Sequence, residues 1–218
     1  QDFVFMSTSI FVTKGVKGFA KLLKAVNSGK VCAGLHFLTH PRLLKLFMKI
    51  RIQVASLFDI EWGSTTPYLL GDKAVKYAVL PTQASHYTIP EGDDVSDNYL
   101  RERMAADLSK GDIMLDFYIQ EQIDPDKMPI EDPRIEWDRT LSPFVKVATL
   151  KILKQTFDTP EQQLYGDWLS FSPWHCLPEH RPLGGINRGR KAIYQTMSKF
   201  RHERNGEISV EPSEWVTF

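Results

Sequence analysis

Cysteine is scarce in this chain: Cys32 and Cys176 are the only two among 218 residues. Two cysteines do not build the disulfide framework of a small secreted scaffold, and they accord with a reducing, cytoplasmic compartment. No apolar run reaches the roughly 18 residues that a transmembrane helix needs. Net charge is missing too, because 27 Lys and Arg balance 27 Asp and Glu. Bulk charge therefore indicates neither nucleic acid nor an anionic membrane as a partner. The sequence holds no G-x-S-x-G, no G-x-x-x-x-G-K-[ST] and no H-E-x-x-H, so a nucleophile elbow, a phosphate loop and a zincin helix lack support. Repeats, low-complexity tracts and a domain linker are also absent. The length suits one sizeable domain.

What is present reads as alternating strands and helices. Residues Gln1 to Val12, weighted by Phe3, Phe5, Ile10 and Phe11, read as a strand, and a start at Gln1 inside an element reads as cut. From Lys14 to Val26, Val16, Phe19, Leu22, Leu23 and Val26 form a helical stripe with lysines opposite, suited to covering a core or, less commonly, to lying on a membrane. Pro41 opens a second helix carrying Leu43, Leu44, Leu46, Phe47 and Ile50. His36 and His40 stand i, i+4, but Pro41 places a boundary between them, which argues against a shared metal.

Gly71-Asp72 lies between a strand ending at Leu70 and one carrying Val75, Tyr77 and Val79, as in a two-residue hairpin. Residues 82–97 read as loop, Asn98 to Leu108 as a helix, Ile113 to Gln120 as a half-buried strand and Phe144 to Leu153 as another, reached through the proline-rich IDPDKMPIEDPRIEW. Thr159-Pro160-Glu161-Gln162 has the form of a capping box opening a further helix. The residues by themselves thus predict an α+β fold, an antiparallel sheet with helices packed against it.

The chemistry concentrates between Gly166 and Gly206. A loop punctuated by Pro173, Pro178 and Pro182 runs into a basic helix on which Arg190, Tyr194, Met197 and Arg201 are spaced i, i+4, i+7 and i+11. At about 3.6 residues per turn they share one face. An arginine one turn from a tyrosine stabilises a phenolate by direct charge, and a phenolate is a hard ligand suited to ferric iron. Taken without its surroundings, such a helix is a solvated surface helix.

The surroundings are more specific. Phe171-x-Pro173, Leu177-Pro178, Gly189-Arg190-x-x-x-Tyr194 and then Arg201 resemble, in order, the proximal segment of the haem-dependent catalases, and PEHRPLGGINR before the helix is closer to the catalase-related proteins than to the large or small true catalases. The resemblance implies that residues 1–218 are a partial catalase-like domain, the antiparallel sheet corresponding to the second half of a catalase-like β-barrel with flanking and C-terminal helices. It implies haem b as cofactor, with Tyr194 as axial iron ligand, Arg190 holding it ionised and Arg201 partnering a propionate. Phe11 and Phe19 match two phenylalanines near the haem, and Met197 lies on the ligand's face. Peroxide is the implied substrate, and a homo-oligomer is compatible. The proton shuttle of the family, a distal histidine, has no match in this chain, so the chain alone is expected to bind haem poorly and turn over peroxide slowly. The family's distal asparagine falls at Ser7, and the histidine of its G-S-H-T strand is replaced by Thr65. Two further readings stay open: a fatty-acid hydroperoxide isomerase resembling allene oxide synthase, and a non-catalytic haem-binding or interaction module. His175, Cys176 and His180 offer a competing zinc constellation that lacks a fourth ligand, or else polar contacts beside the haem loop with Cys176 as a small buried residue.

Overall fold

The computed structural model describes residues 1–83, 85–92, 95–207, 212, 214 and 216; positions 84, 93 and 94 of the expected loop over 82–97 lie outside them. Three helices come first: α1 (Val16–Asn27), α2 (Lys30–Thr39) and α3 (Pro41–Ile50). The short strands β1 (Trp62–Gly63) and β2 (Tyr68–Leu70) and the long strand β3 (Lys73–Pro81) follow, then α4 (Tyr99–Lys110), β4 (Ile113–Glu121), β5 (Val145–Ile152), α5 (Pro160–Trp168) and α6 (Gly184–Asn205). The fold is α+β, and its sheet is antiparallel throughout in the order β1-β3-β4-β5, with β2 also on β3.

Local chemistry explains most boundaries. Gly71 has φ +65°, the left-handed conformation that the first position of a tight hairpin asks for, so β2 turns directly into β3. In α5 the box closes both ways: Thr159 Oγ1 accepts from the Gln162 backbone N–H at 3.3 Å, and Gln162 Oε1 accepts from that of Thr159 at 3.1 Å. α2 ends at Thr39 and α3 begins at Pro41, with His40 as the cap between them, so the boundary at Pro41 is real; the His36 and His40 rings stack 4.3 Å apart.

Three expectations are corrected. Residues 1–12 are not a strand: Met6 bridges to Gly63, whereas the Phe11 N–H donates to Pro133 O, so the backbone bonds go to different partners and no ladder forms. Helix α2 occupies a stretch in which the sequence marked only a histidine pair. Among the described residues a closed β-barrel is not seen; the sheet is open, β5 pairs with β4 alone, and seven of its eight residues are exposed.

The core sits where β3, the central strand, meets its neighbours. Tyr68, Val75 and Tyr77 are buried there against Phe5, Phe117 and Ile119. On the other face of β3, Lys76 is buried, donates to Ser9 O at 3.1 Å and sits 5.1 Å from the Trp137 ring. Burial pushes its ammonium down from 10.5 to about 8, opposed only in part by Glu136. The unfolded chain holds that proton more tightly, so the cost, about 3 kcal/mol at most, is fully present below about pH 8 and disappears as pH rises to about 10.5. Lys76→Met is therefore expected to stabilise the protein by about 1–2 kcal/mol near neutral pH, the lost hydrogen bond and ring contact offsetting the rest. Urea unfolding at neutral and alkaline pH checks this: the parent gains stability on going alkaline, and the variant does not.

Candidate functional site

The proline-rich excursion between β4 and β5 shapes the start of α6. Met128 and Trp137 anchor it in the interior, and its Glu131 accepts from the Gly185 N–H at 2.9 Å and from Arg188 at 3.0 and 3.2 Å. A carboxylate at a helix N-terminus is favoured by the dipole, and the Arg188 hydrogen bond holds it below the usual carboxylate range. Gly184 has φ +84°, and a Cβ there would lie 2.7 Å from Ile130 O. Gly184→Ala is thus expected to cost about 2–3 kcal/mol, read as a fall in thermal midpoint. At Gly189 a Cβ would overlap Val16 Cγ2, so the glycine lets α1 pack against α6 one residue before Arg190.

Asn187 organises the site. It is fully buried; its Nδ2 donates to Pro67 O at 3.1 Å and Leu183 O at 2.9 Å, and its Oδ1 accepts from Thr66 Oγ1 at 3.1 Å. Its backbone carbonyl accepts from Trp174 Nε1 at 2.8 Å. The same Oδ1 receives Arg190 Nη1 at 3.3 Å, while Arg190 Nη2 donates to the Tyr194 hydroxyl at 3.0 Å. Asn187, Arg190 and Tyr194 form one relay along a helix face, and it presents a tyrosine oxygen backed by a fixed cation. Beneath it lies the buried Tyr68, whose hydroxyl makes no hydrogen bond of good geometry. Burial raises that phenol, with the nearby Arg190 charge opposing. Its neighbour Tyr77, 5.3 Å away between ring centres, is pushed up to about 12 by burial. Burial thus favours the neutral form of both phenols, and of the three tyrosines it is Tyr194 that lines the open clefts.

A cleft of about 540 Å³ is lined by Phe171, Ile193, Tyr194, Met197, Phe200 and Arg201, and a second of about 360 Å³ reaches Tyr194 past Ser170, His175 and His202. Phe171 is 62 % exposed, and Met197 and Phe200 are 57 % exposed, so the wall beside the tyrosine is apolar and open. Arg201 lines it but donates through Nη1 to Asp167 O and through Nη2 to Leu169 O at 2.5 Å, tying the end of α5 to α6. His202 is buried with Nε2 at Trp168 O, 3.0 Å, and Nδ1 without a partner.

The structure brings Arg190, Tyr194, Met197 and Arg201 together as their spacing requires. Phe11 and Phe19 pack on each other, 5.2 Å between centres, at the base of α1 and line neither cleft. His175 Nδ1 faces Asp2 at 2.9 Å and His180 Nδ1 faces Gln1 at 2.7 Å, so the three candidate zinc ligands are not gathered, and no metal-sized cluster occurs among the described residues. Cys176 is half-buried rather than buried, its thiol raised by that burial. Thr65, the departure at the G-S-H-T position, has φ +56°; a β-branched residue there is strained, and the Ser64–Thr66 hydrogen bonds around it hold it in place. Sequence reasoning missed Asn187 and Tyr68. Asn187 was detectable in principle, at i−3 from Arg190 and i−7 from Tyr194 on the same face; Tyr68 carried no signal.

No protein-family model matches the sequence, and no curated protein matches it. Solved structures do match. A fungal catalase has a TM-score of 0.73 at 14% identity, with 93% of this chain and 45% of that one covered. Catalase A from Saccharomyces cerevisiae scores 0.71 at 13% identity, covering 91% and 46%. A bacterial catalase scores 0.75 at 14% identity, covering 99% and 49%. This chain spans less than half the length of each, and no described helix is long and apolar enough to cross a membrane. Residues 1–218 therefore have the fold of part of a catalase.

Proposed function

We propose that this chain forms the proximal side of a haem site, in which Tyr194 would ligate the iron of haem b, in a catalase- or peroxidase-like protein acting on hydrogen peroxide or organic peroxides. The observation that carries the reading is the Arg190–Tyr194 hydrogen bond, held by buried Asn187 and opening onto an apolar wall. The residues fit such a group. A tyrosine oxygen with a guanidinium donor suits a ferric ion, and exposed Phe171, Met197 and Phe200 suit an apolar macrocycle. Arg204 and the unspent N–H groups of Arg201 offer cations to its carboxylates.

When bound, haem iron would supply the redox centre for cleaving a peroxide O–O bond. Arg190 aims a guanidinium N–H at the Tyr194 oxygen, the arrangement that would support it as an iron ligand. Asn187 fixes the guanidinium plane so that its second nitrogen stays aimed at that oxygen. The apolar wall sheds water when covered, which strengthens the Arg190–Tyr194 interaction in lower dielectric. Hydroperoxide isomerisation and non-catalytic haem binding would share this proximal arrangement, and no observation favours either. Oxygen release, epoxide formation or binding without turnover separates the three. Like the peroxide substrate, self-association into a homo-oligomer belongs to this reading.

Because the chain alone is expected to bind haem poorly, the test is a titration with hemin in large excess, followed by absorbance. A ferric tyrosinate spectrum in the parent that disappears in Tyr194→Phe supports the reading, whereas identical spectra in the two proteins overturn the proximal assignment.

A further inference from the structure

The balanced total charge conceals a sharp division. Residues 3–58 contain nine Lys and Arg and no Asp or Glu, so the rest of the chain holds 18 basic against 27 acidic residues. This stretch includes α1, α2 and α3, which pack chiefly on one another in sequence, with α1 also touching α6. Leu22 is the sole buried residue of α1, and α2 and α3 have none. Apolar side chains lie open on α2 and α3: Val31 is 77 % exposed, Leu38 75 %, Met48 66 % and Leu35 59 %. Among the described residues only Lys49 of the nine cations has an ion-pair partner, Glu136 at 2.8 Å. A groove of about 880 Å³ opens between α1, α3 and the start of α6, with Lys14, Lys17, Lys21 and Arg42 around apolar Val16 and Leu46.

We infer that α1–α3 form a docking surface for an anionic lipid membrane. The occupant must neutralise several cations that have no ion-pair partner among the described residues and also receive large apolar side chains that the described residues leave exposed. An anionic bilayer interface supplies both at once, with phosphate and carboxylate headgroups above acyl chains. A groove with cations around apolar walls fits a lipid headgroup with its chain beneath. The acidic surface of a second copy would answer the charge, but it would leave Val31 and Leu38 against carboxylates rather than hydrocarbon.

Co-sedimentation of the whole chain with vesicles of phosphatidylcholine and phosphatidylserine in equal amounts tests this. Pelleting at low salt with these vesicles, and not with phosphatidylcholine alone, is the expected result. The triple variant Lys17→Gln, Lys21→Gln, Lys24→Gln alters exposed positions only and should weaken partitioning by on the order of 100-fold. Val31→Ser with Leu38→Ser leaves the charge unchanged and should weaken it at least about tenfold. Equal binding to both vesicles, no binding to either, or full binding by either variant overturns the inference. A concentration-dependent dimer in sedimentation velocity with no vesicle-bound fraction overturns it as well and assigns the face to a second copy.

Discussion

Tyr194→Phe is expected to weaken hemin binding at least about a hundredfold and to abolish the tyrosinate absorption, while changing unfolding free energy by no more than about 1 kcal/mol. The first figure follows because changing a group that only supports a metal ligand costs roughly 10–100-fold, and deleting the ligand itself should exceed that. The second follows from the environment of the hydroxyl. Its hydrogen-bond partner is Arg190 Nη2, at 3.0 Å, and the ring stays where it was beside Met197 and Phe171. Arg190 keeps Asn187 as acceptor for its other nitrogen, so the cation is not left without a partner. One hydrogen bond at a half-open site is worth about 1 kcal/mol. Hemin titration and urea unfolding of the same two proteins separate ligand loss from fold loss. A variant that unfolds easily and still shows the parent's spectrum would reverse both expectations.

Asn187→Ala should act in the opposite way, on the fold before the ligand. The amide is fully buried and serves Pro67 O, Leu183 O, Thr66 Oγ1 and Arg190 Nη1. Removing it leaves two carbonyls without that donor and the hydroxyl and guanidinium without that acceptor, in a place that water does not reach. A buried polar group deprived of its partner costs about 1–3 kcal/mol, and partial relaxation brings the expected sum to about 3–4 kcal/mol. For a chain of this size that is a drop of roughly 6–16 °C in thermal midpoint. Because Arg190 also loses the contact that fixes its plane, hemin affinity should fall even where the variant remains folded. A change below about 1 kcal/mol would mean that the relay is not what joins the 64–67 turn to α6.

These two residues also divide what was legible in the sequence from what was not. Tyr194, Arg190, Met197 and Arg201 could be placed on one face because a helix imposes its period on neighbouring residues, whatever surrounds it. Gly71 at the hairpin and Thr159 with Gln162 at α5 were readable for the same reason: each is a bond or dihedral closed within a few residues. The alternation in β4 and the start of α3 at Pro41 belong with them.

Only tertiary structure decided the features whose partners lie far along the chain. Asn187 is a mid-helix polar residue until Thr66 and Pro67, about 120 positions earlier, close over it. Tyr68 is one aromatic among seven tyrosines until Arg190 comes to stand beside it. Arg201 points as its spacing says, but its hydrogen bonds go to carbonyls of Asp167 and Leu169 at the end of α5, more than 30 positions away. Phe11 and Phe19 match a motif, yet pack against each other, while Val16 of α1 meets Gly189. The extended segment 1–12 has strand-like residues, and whether it became a strand depended on where its backbone donors found acceptors. The open sheet follows the same rule, since closure needs a partner for β5 and no local pattern in β5 supplies one. Short-range bonding chose the elements and the face that carries the tyrosine; long-range burial of polar groups chose what that tyrosine touches.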